Sequence, residues 1–250
     1  MPHIHGVAWI LQSYLDKTHI KDGILCKKEN SKATAELADK LISCQLPNIE
    51  VEEDSNQHPS LGKIVRETQI HRHTPSCLKY GGTCRYHFPR LPCRETVVAR
   101  PLEEQDDWMS KSKEEKKKFM DKAKETMETA KMKLKEIDLG TNPSLNENMS
   151  LKEFCEAIDP TLTEDKYMEY IKTTEKGTVL MLKRDIKARH VNNYNPEMLY
   201  AWNANMDVQL ALDPFAVVTY IINYTNKDES GMTKFMAEAF RACWRTLQSL

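Results

Sequence analysis

Long apolar runs are missing from this sequence. None approaches the ~20 residues a membrane span needs, so no membrane partner is expected. An excess of one charge is missing too: 36 Lys and Arg face 37 Asp and Glu, for a net charge of −1. Attraction to a polyanion must therefore come from local patches rather than from the whole surface. The amino end carries no secretory leader pattern. No G-x-x-x-x-G-K-[ST] phosphate loop occurs, so ATP-driven unwinding is not expected of this chain. No internal repeat is present. The seven cysteines are an odd set without framework spacing. They fit free thiols or metal ligands in a reducing compartment better than disulfides.

What is present suffices for one large domain or two small ones, with a sizeable core, at 250 residues. Residues 3–15 alternate and then run apolar, which predicts a strand. Residues 31–46 predict a helix with Ala35, Leu37, Ala38, Leu41 and Ile42 on one side and Ser31 as its cap. A second helix is expected over 60–73, and an irregular stretch rich in His, Cys, Gly and Pro over 71–93. In 101–140, Phe119, Ala123, Met127, Ala130, Leu134 and Ile137 recur at helical spacing among Lys and Glu. That is an amphipathic helix with a solvated face, within a helical insertion at 101–176. Two shorter helices follow, with Ser150/Glu153 and Thr161/Glu164 as capping boxes. Strands are expected at 177–184 and 205–211, the latter placing Asp207 and Gln209 on one face. Asp213-Pro214 then opens a helix.

Three constellations carry chemistry. On a strand, His3 and His5 share a face and place two imidazoles where one metal ion can be gripped. The competing reading is two ordinary strand histidines. On the helix after Asp213, Tyr220, Tyr224 and Lys227 share a face, with Val218, Ile221, Ile222 and Thr225 opposite. Exposed tyrosines on an amphipathic helix would look the same. The third is the supply of His71, His73, Cys77, Cys84 and His87, with Cys44 and Cys93 in reserve. That supply suits a tetrahedral zinc site, although the spacing fits no common finger. The favoured set is His71 or His73 with Cys77 and Cys84, completed by Cys44 or His87. Free thiols and surface histidines are the alternative.

The same region is locally basic. Lys63, Arg66, Arg72, Lys79, Arg85, Arg90, Arg94 and Arg100 stand against only Glu67 and Glu95. Tyr80, Tyr86 and Phe88 lie between them. Cations that track a backbone and rings that stack on bases suit single-stranded nucleic acid, with Arg72, Arg85, Arg90 and Tyr86 as candidate contacts. A solvated basic surface would need no ligand. Lys111 to Lys118, balanced by Glu114, Glu115 and Asp121, reads as a solvated helix face.

Taken jointly, PHIHGVAW (2–9), HRHTPSC (71–77), CRYHFPR (84–90), VNNYNPEMLYAWNANMDVQ (191–209) and DPFAVVTYIINYTNKDE (213–229) resemble the Rep portion of Helitron transposases. These belong to the HUH endonucleases, and the likeness extends to the Helitron-helicase-like N-terminal domain. The resemblance spans nearly the whole chain, with 101–176 its least diagnostic part. It implies an α+β fold: a Rep-like antiparallel sheet carrying His3 and His5, packed helices and a helical insertion, as one domain over 1–250 truncated at both ends. It implies a nuclear protein, with a helicase downstream in the full-length polypeptide. The implied activity is metal-dependent nicking and strand transfer of single-stranded DNA during rolling-circle transposition. In that scheme Tyr220 and Tyr224 are nucleophiles and Lys227 assists at the phosphate. His3, His5 and Gln209 hold Mg2+ or Mn2+. The 71–93 segment holds a structural Zn2+. The contrasting expectation is a non-catalytic, zinc-stabilised DNA-binding remnant of such an element.

Overall fold

The computed structural model describes residue 20 and residues 25–48, 59–78, 83–175, 177–212 and 217–218. The chain divides into two compact units, Met1–Gln209 and Leu210–Leu250. In the second, Val217 and Val218 are helical. The first is α+β. Among its described residues are seven α-helices and a three-stranded sheet.

Helix α1 (Ser31–Leu41) buries Thr34, Ala35, Leu37 and Ala38, a 3–4 spacing that gives one apolar face. Its cap position is Asn30, not Ser31; the Ser31 hydroxyl instead donates to the Lys28 carbonyl at 2.8 Å. The helix stops at Leu41, short of the expected 46. Ser43 leaves it to exchange backbone bonds with Tyr194, at 2.7 and 2.8 Å. Helix α2 (Leu61–Ile64) is capped by the Ser60 hydroxyl, which accepts from the Lys63 N–H at 3.3 Å. It runs on as a π-helical turn, Val65–Gln69, and ends where Ile70 pairs with Val191. A helix to residue 73 is ruled out by that pairing.

Strand β1 (Val97–Pro101) was not legible as a strand in the sequence. Helix α3 (Asp106–Met109) is one turn. Helix α4 (Lys113–Leu139) begins with a full capping box: Glu115 N–H donates to Ser112 Oγ at 3.2 Å, and Ser112 N–H to Glu115 Oε2 at 2.9 Å. It ends at Gly140, whose φ of +62° suits a residue without Cβ. Phe119, Ala123, Thr126, Ala130 and Leu134 form its buried stripe. Helix α5 (Leu151–Ile158) carries the expected Ser150/Glu153 box. Helix α6 (Glu164–Ile171) does not use Thr161. Its cap is Thr163, accepting from the Lys166 N–H, while the Thr161 hydroxyl is occupied by Asp159 at 2.8 Å. Strands β2 (Thr173–Thr174) and β3 (Val179–Met181) flank β1, β2 parallel and β3 antiparallel, with Val97 opposite Met181. The described sheet is therefore mixed rather than purely antiparallel. Helix α7 (Pro196–Trp202) starts on proline, as the missing N–H of that residue allows.

The main core joins β1, α4, α5 and α6 through Val97, Ala130, Leu134, Phe154, Tyr167 and Met168. Phe154 and Leu134 are fully buried, each a gain of ~1.5–3 kcal/mol from apolar burial. A second core holds Ile64, Val65, Ala188, Val191, Tyr194 and Leu199. It fixes the turn 185–193 against the π-helical segment, and this places the site described next.

The Asn-rich stretch 192–196 is structural. Asn193 Oδ1 accepts from the buried Arg184 guanidinium at 3.1 Å, Tyr194 donates its hydroxyl to Gln45 O at 3.0 Å, and Asn195 caps α7. Residues 205–211 are not a strand. Val208 N–H reaches Asn193 O at 3.1 Å, but no ladder forms among the described residues. Asp207 and Gln209 do share an exposed side, as alternation predicts.

Candidate metal centre

Four metal-ligating atoms, one each from His71, His73, Cys77 and Cys84, lie within 4.8 Å of one another. Among the described residues this is the group of His, Cys, Asp and Glu close enough to hold an ion. His71 and His73 stand just past the π-helical turn. The chain then folds back through Thr74–Cys77, with Cys77 N–H to Thr74 O at 3.0 Å. Further on, Arg85 N–H bonds to Cys77 O at 2.9 Å, and His87 N–H to Cys84 O at 2.9 Å closes a tight turn. His87 sits at φ +61°, in the left-handed region that such a turn demands.

The spacing of the donors has a chemical meaning. Cys84 Sγ is 3.4 Å from His71 Nε2, and Cys77 Sγ is 3.6 Å from His73 Nδ1. In a tetrahedron with Zn–S about 2.3 Å and Zn–N about 2.0–2.1 Å, a sulfur-to-nitrogen edge is about 3.5 Å. The two His rings lie edge to face, with centroids 5.0 Å apart. The donor set of two thiols and two imidazoles is soft to intermediate, unsuited to Mg2+ or Ca2+. The Cys77 sulfur also accepts the Thr74 N–H at 3.2 Å. Burial lowers the His71 pKa below the ordinary value, aided by His73 and His190, which favours the neutral ring.

Cysteine and phenylalanine carry the floor: Cys77, Cys84 and Phe88 are buried together. Phe88 stacks on His71 at 4.5 Å with the planes 10° apart. His87 and Cys44 do not join the ligand group. Cys44 donates instead to the Lys183 carbonyl at 3.1 Å, and the turn carries the exposed His87 away. Cys93 is spent elsewhere as well, on the Glu95 carbonyl at 2.9 Å.

Among the described residues the basic stretch does not survive as one strip; Lys79 and Tyr80 lie outside them. Arg66 donates to Pro47 O at 2.7 Å, Arg94 to Asp165 at 2.9 Å, and the buried Arg100 to Glu104 at 3.2 Å and Cys26 O at 2.6 Å. These three cations serve the fold. Arg72 and Arg85 are exposed next to the cluster. Arg85 lies 4.6 Å over the Tyr86 ring and bonds its hydroxyl; Tyr86 is 45% exposed and meets His71 edge-on. Arg90 is partly buried over Phe88 at 5.0 Å, its N–H given to Arg189 O.

His3, His5, Tyr220, Tyr224 and Lys227 lie outside the described residues. Gln209 is exposed and donates to Asp207 Oδ2 at 3.1 Å. Sequence reasoning missed two residues at the metal centre, His190 and Asp138. The pairing of Ile70 with Val191 sets His190 beside His71, Asp138 reaches His190 from α4, and no local spacing announces either. No protein-family model matches this chain, and no curated protein or solved structure matches it.

Proposed function

We propose that the chain is a zinc-stabilised module that nicks and transfers single-stranded DNA, of the Helitron Rep kind. The observation that carries this reading is the meeting of His71, His73, Cys77 and Cys84. The segment singled out by the resemblance is the one in which four ligand atoms gather within 4.8 Å. Zinc is the ion whose coordination chemistry suits two thiolates and two imidazoles in a closed site. Exposed Arg72, Arg85 and Tyr86 beside that site offer phosphate pairing and base stacking.

The chemistry follows from the remaining residues. A phenolate of Tyr220 or Tyr224 attacks a DNA phosphorus. One P–O bond forms, another breaks, and the departing strand end leaves as a hydroxyl after taking a proton. By the resemblance, His3, His5 and Gln209 are the residues that would hold Mg2+ or Mn2+, and such an ion would supply Lewis acidity at the phosphate. Lys227 offsets the charge that develops there. The covalent link conserves the bond energy, so rejoining needs no nucleotide. A helicase further along the full-length protein supplies unwinding in the nucleus.

The test uses labelled single-stranded oligonucleotides tiled across the DNA flanking the coding sequence, with Mn2+. A covalent adduct is expected, lost in the Tyr220→Phe, Tyr224→Phe double variant. A folded, zinc-loaded chain that gives no adduct on any oligonucleotide overturns the nuclease. Salt-sensitive binding without an adduct instead supports a DNA-binding remnant. The exposed Arg85–Tyr86 pair favours that second reading, because it needs no nucleophile to bind a strand.

A further inference from the structure

The four ligands of the metal centre are held in two different ways. Cys77 and Cys84 are fixed locally, by the Thr74–Cys77 turn and by the backbone bonds of Arg85 and His87. His71 and His73 are fixed from a distance, through His190. The His71 N–H donates to the His190 carbonyl at 2.8 Å. The His190 ring meets His73 edge-on at 5.7 Å, and it stacks at 6.1 Å on Phe88, which also stacks on His71.

His190 is itself anchored. Its Nε2 faces both carboxylate oxygens of Asp138 at 2.9 Å. With the carboxylate as acceptor, that nitrogen carries the hydrogen. Asp138 also accepts from Arg189 Nε at 2.7 Å. Among the described residues, His190 Nδ1 is the one buried side-chain nitrogen or oxygen without a partner. A buried polar atom left unpaired is costly and calls for an explanation. Here the ring is held where its edge and face serve the neighbouring histidines and Phe88, at the expense of its second nitrogen. Asp138 is the penultimate residue of α4, so the end of that helix reaches His190 through this carboxylate.

We propose that Asp138 and His190 are positioning residues of the metal centre. They hold the histidine half of the ligand set in its binding geometry and couple the long helix α4 to the ion. The inference rests on the reading that the cluster takes zinc. His73 is exposed, and its ring would otherwise lose rotamer freedom on binding. Prior orientation by His190 removes that cost from the binding step.

The test measures zinc affinity of the full chain by competition with a chromophoric chelator, and cobalt(II) absorption at saturation. Asp138→Asn and His190→Ala are expected to weaken zinc binding by about tenfold or more, in the range outer partners of metal ligands command. Asp138→Glu should recover part of the loss. The cobalt spectrum should keep the parent envelope, whereas His73→Ala, which removes a ligand, should alter it. Leu134→Ala separates positioning from general loss of stability, since it weakens the core around α4 without touching the dyad. It should lower the unfolding midpoint and leave zinc affinity within about threefold. Zinc affinity within about twofold of the parent in both Asp138→Asn and His190→Ala overturns the proposal. So does a changed cobalt envelope in His190→Ala, because it would make His190 a ligand. A parent chain that binds no zinc overturns the metal-centre reading itself, and this inference with it.

Discussion

Cys84 Sγ and His71 Nε2 stand 3.4 Å apart, although 13 positions separate them in the chain. That contact closes the loop which makes HRHTPSC and CRYHFPR one site. Without an ion it is a thiol–imidazole hydrogen bond; with one it becomes an edge of the coordination tetrahedron. The same geometry serves both, so little rearrangement accompanies loading.

The chain should carry one zinc per molecule by elemental analysis. Stripping it with a chelator should lower the thermal midpoint by about 5–10 °C. That figure follows from about 2.7 kcal/mol of linkage at free metal 100 times the dissociation constant. Cys84→Ser should weaken zinc binding by at least about 100-fold, because it removes a thiolate. A midpoint indifferent to the chelator in a zinc-loaded sample would speak against a structural role.

Acid should act on the metal-free protein through His71. Burial holds its folded pKa below the ordinary 6.5, so the unfolded chain binds more protons in that window. Its contribution to stability is therefore present above pH 6.5 and lost as pH falls through the lowered folded value. Asp138 acts in a lower window. Burial pushes its carboxyl up, but the bonds from His190 and Arg189 outweigh this and leave it below the ordinary 3.8. Its contribution is present above pH 3.8 and fades as pH drops further. Denaturant titrations of the chelated chain should decline in two steps. In His71→Phe the upper one should vanish.

The thiols should sort by reactivity. Burial raises the Cys93 thiol to about 11 and the Cys155 thiol to about 12. At pH 8 both should resist iodoacetamide in the native chain, while the partly exposed Cys26 alkylates. Peptide mapping after brief alkylation reads this directly. Both thiols favour folding below the ordinary value of 9.0, and that contribution is lost as pH rises through their raised values. Rapid labelling of Cys155 in folded protein would contradict its burial.

Arg184→Ala should be among the most damaging single changes outside the metal ligands. Its guanidinium satisfies Ala188 O at 2.6 Å, Val191 O at 2.8 Å and Asn193 Oδ1 at 3.1 Å. Removing it orphans three acceptors in the turn that presents His190, at a cost of about 3–5 kcal/mol. Asn195→Ala, which removes the cap of α7 and a bond to Leu41 O, should cost about 1–2 kcal/mol. Urea midpoints of the two variants test the ranking.

Much of the helical part was legible in the chain. The Phe119–Leu134 stripe and the Ser150/Glu153 box are local patterns, and local geometry alone satisfies them. Ends were less legible. Thr161 looked like a cap, but Asp159 holds its hydroxyl and Thr163 does the capping. Ser31 fared likewise against Asn30. The clustered His and Cys side chains were legible as a supply of residues able to ligate, with Cys44 and His87 also in contention. The turn at His87 and the competing bond of Cys44 to Lys183 O decided it.

The sequence by itself determined which residues can be helical, which side chains can ligate, and that positive charge gathers near residues 63–100. These depend on neighbours within a few positions, where spacing alone sets what can meet. Only the tertiary structure decided that Arg66, Arg94 and Arg100 serve the fold, that β1 pairs with both β2 and β3, and that Asp138 and His190 stand behind the histidines. Those relationships span 52 positions between Asp138 and His190 and 71 between Arg94 and Asp165. They form because burying the two cores brings the segments together, and no periodicity along the chain encodes such a meeting.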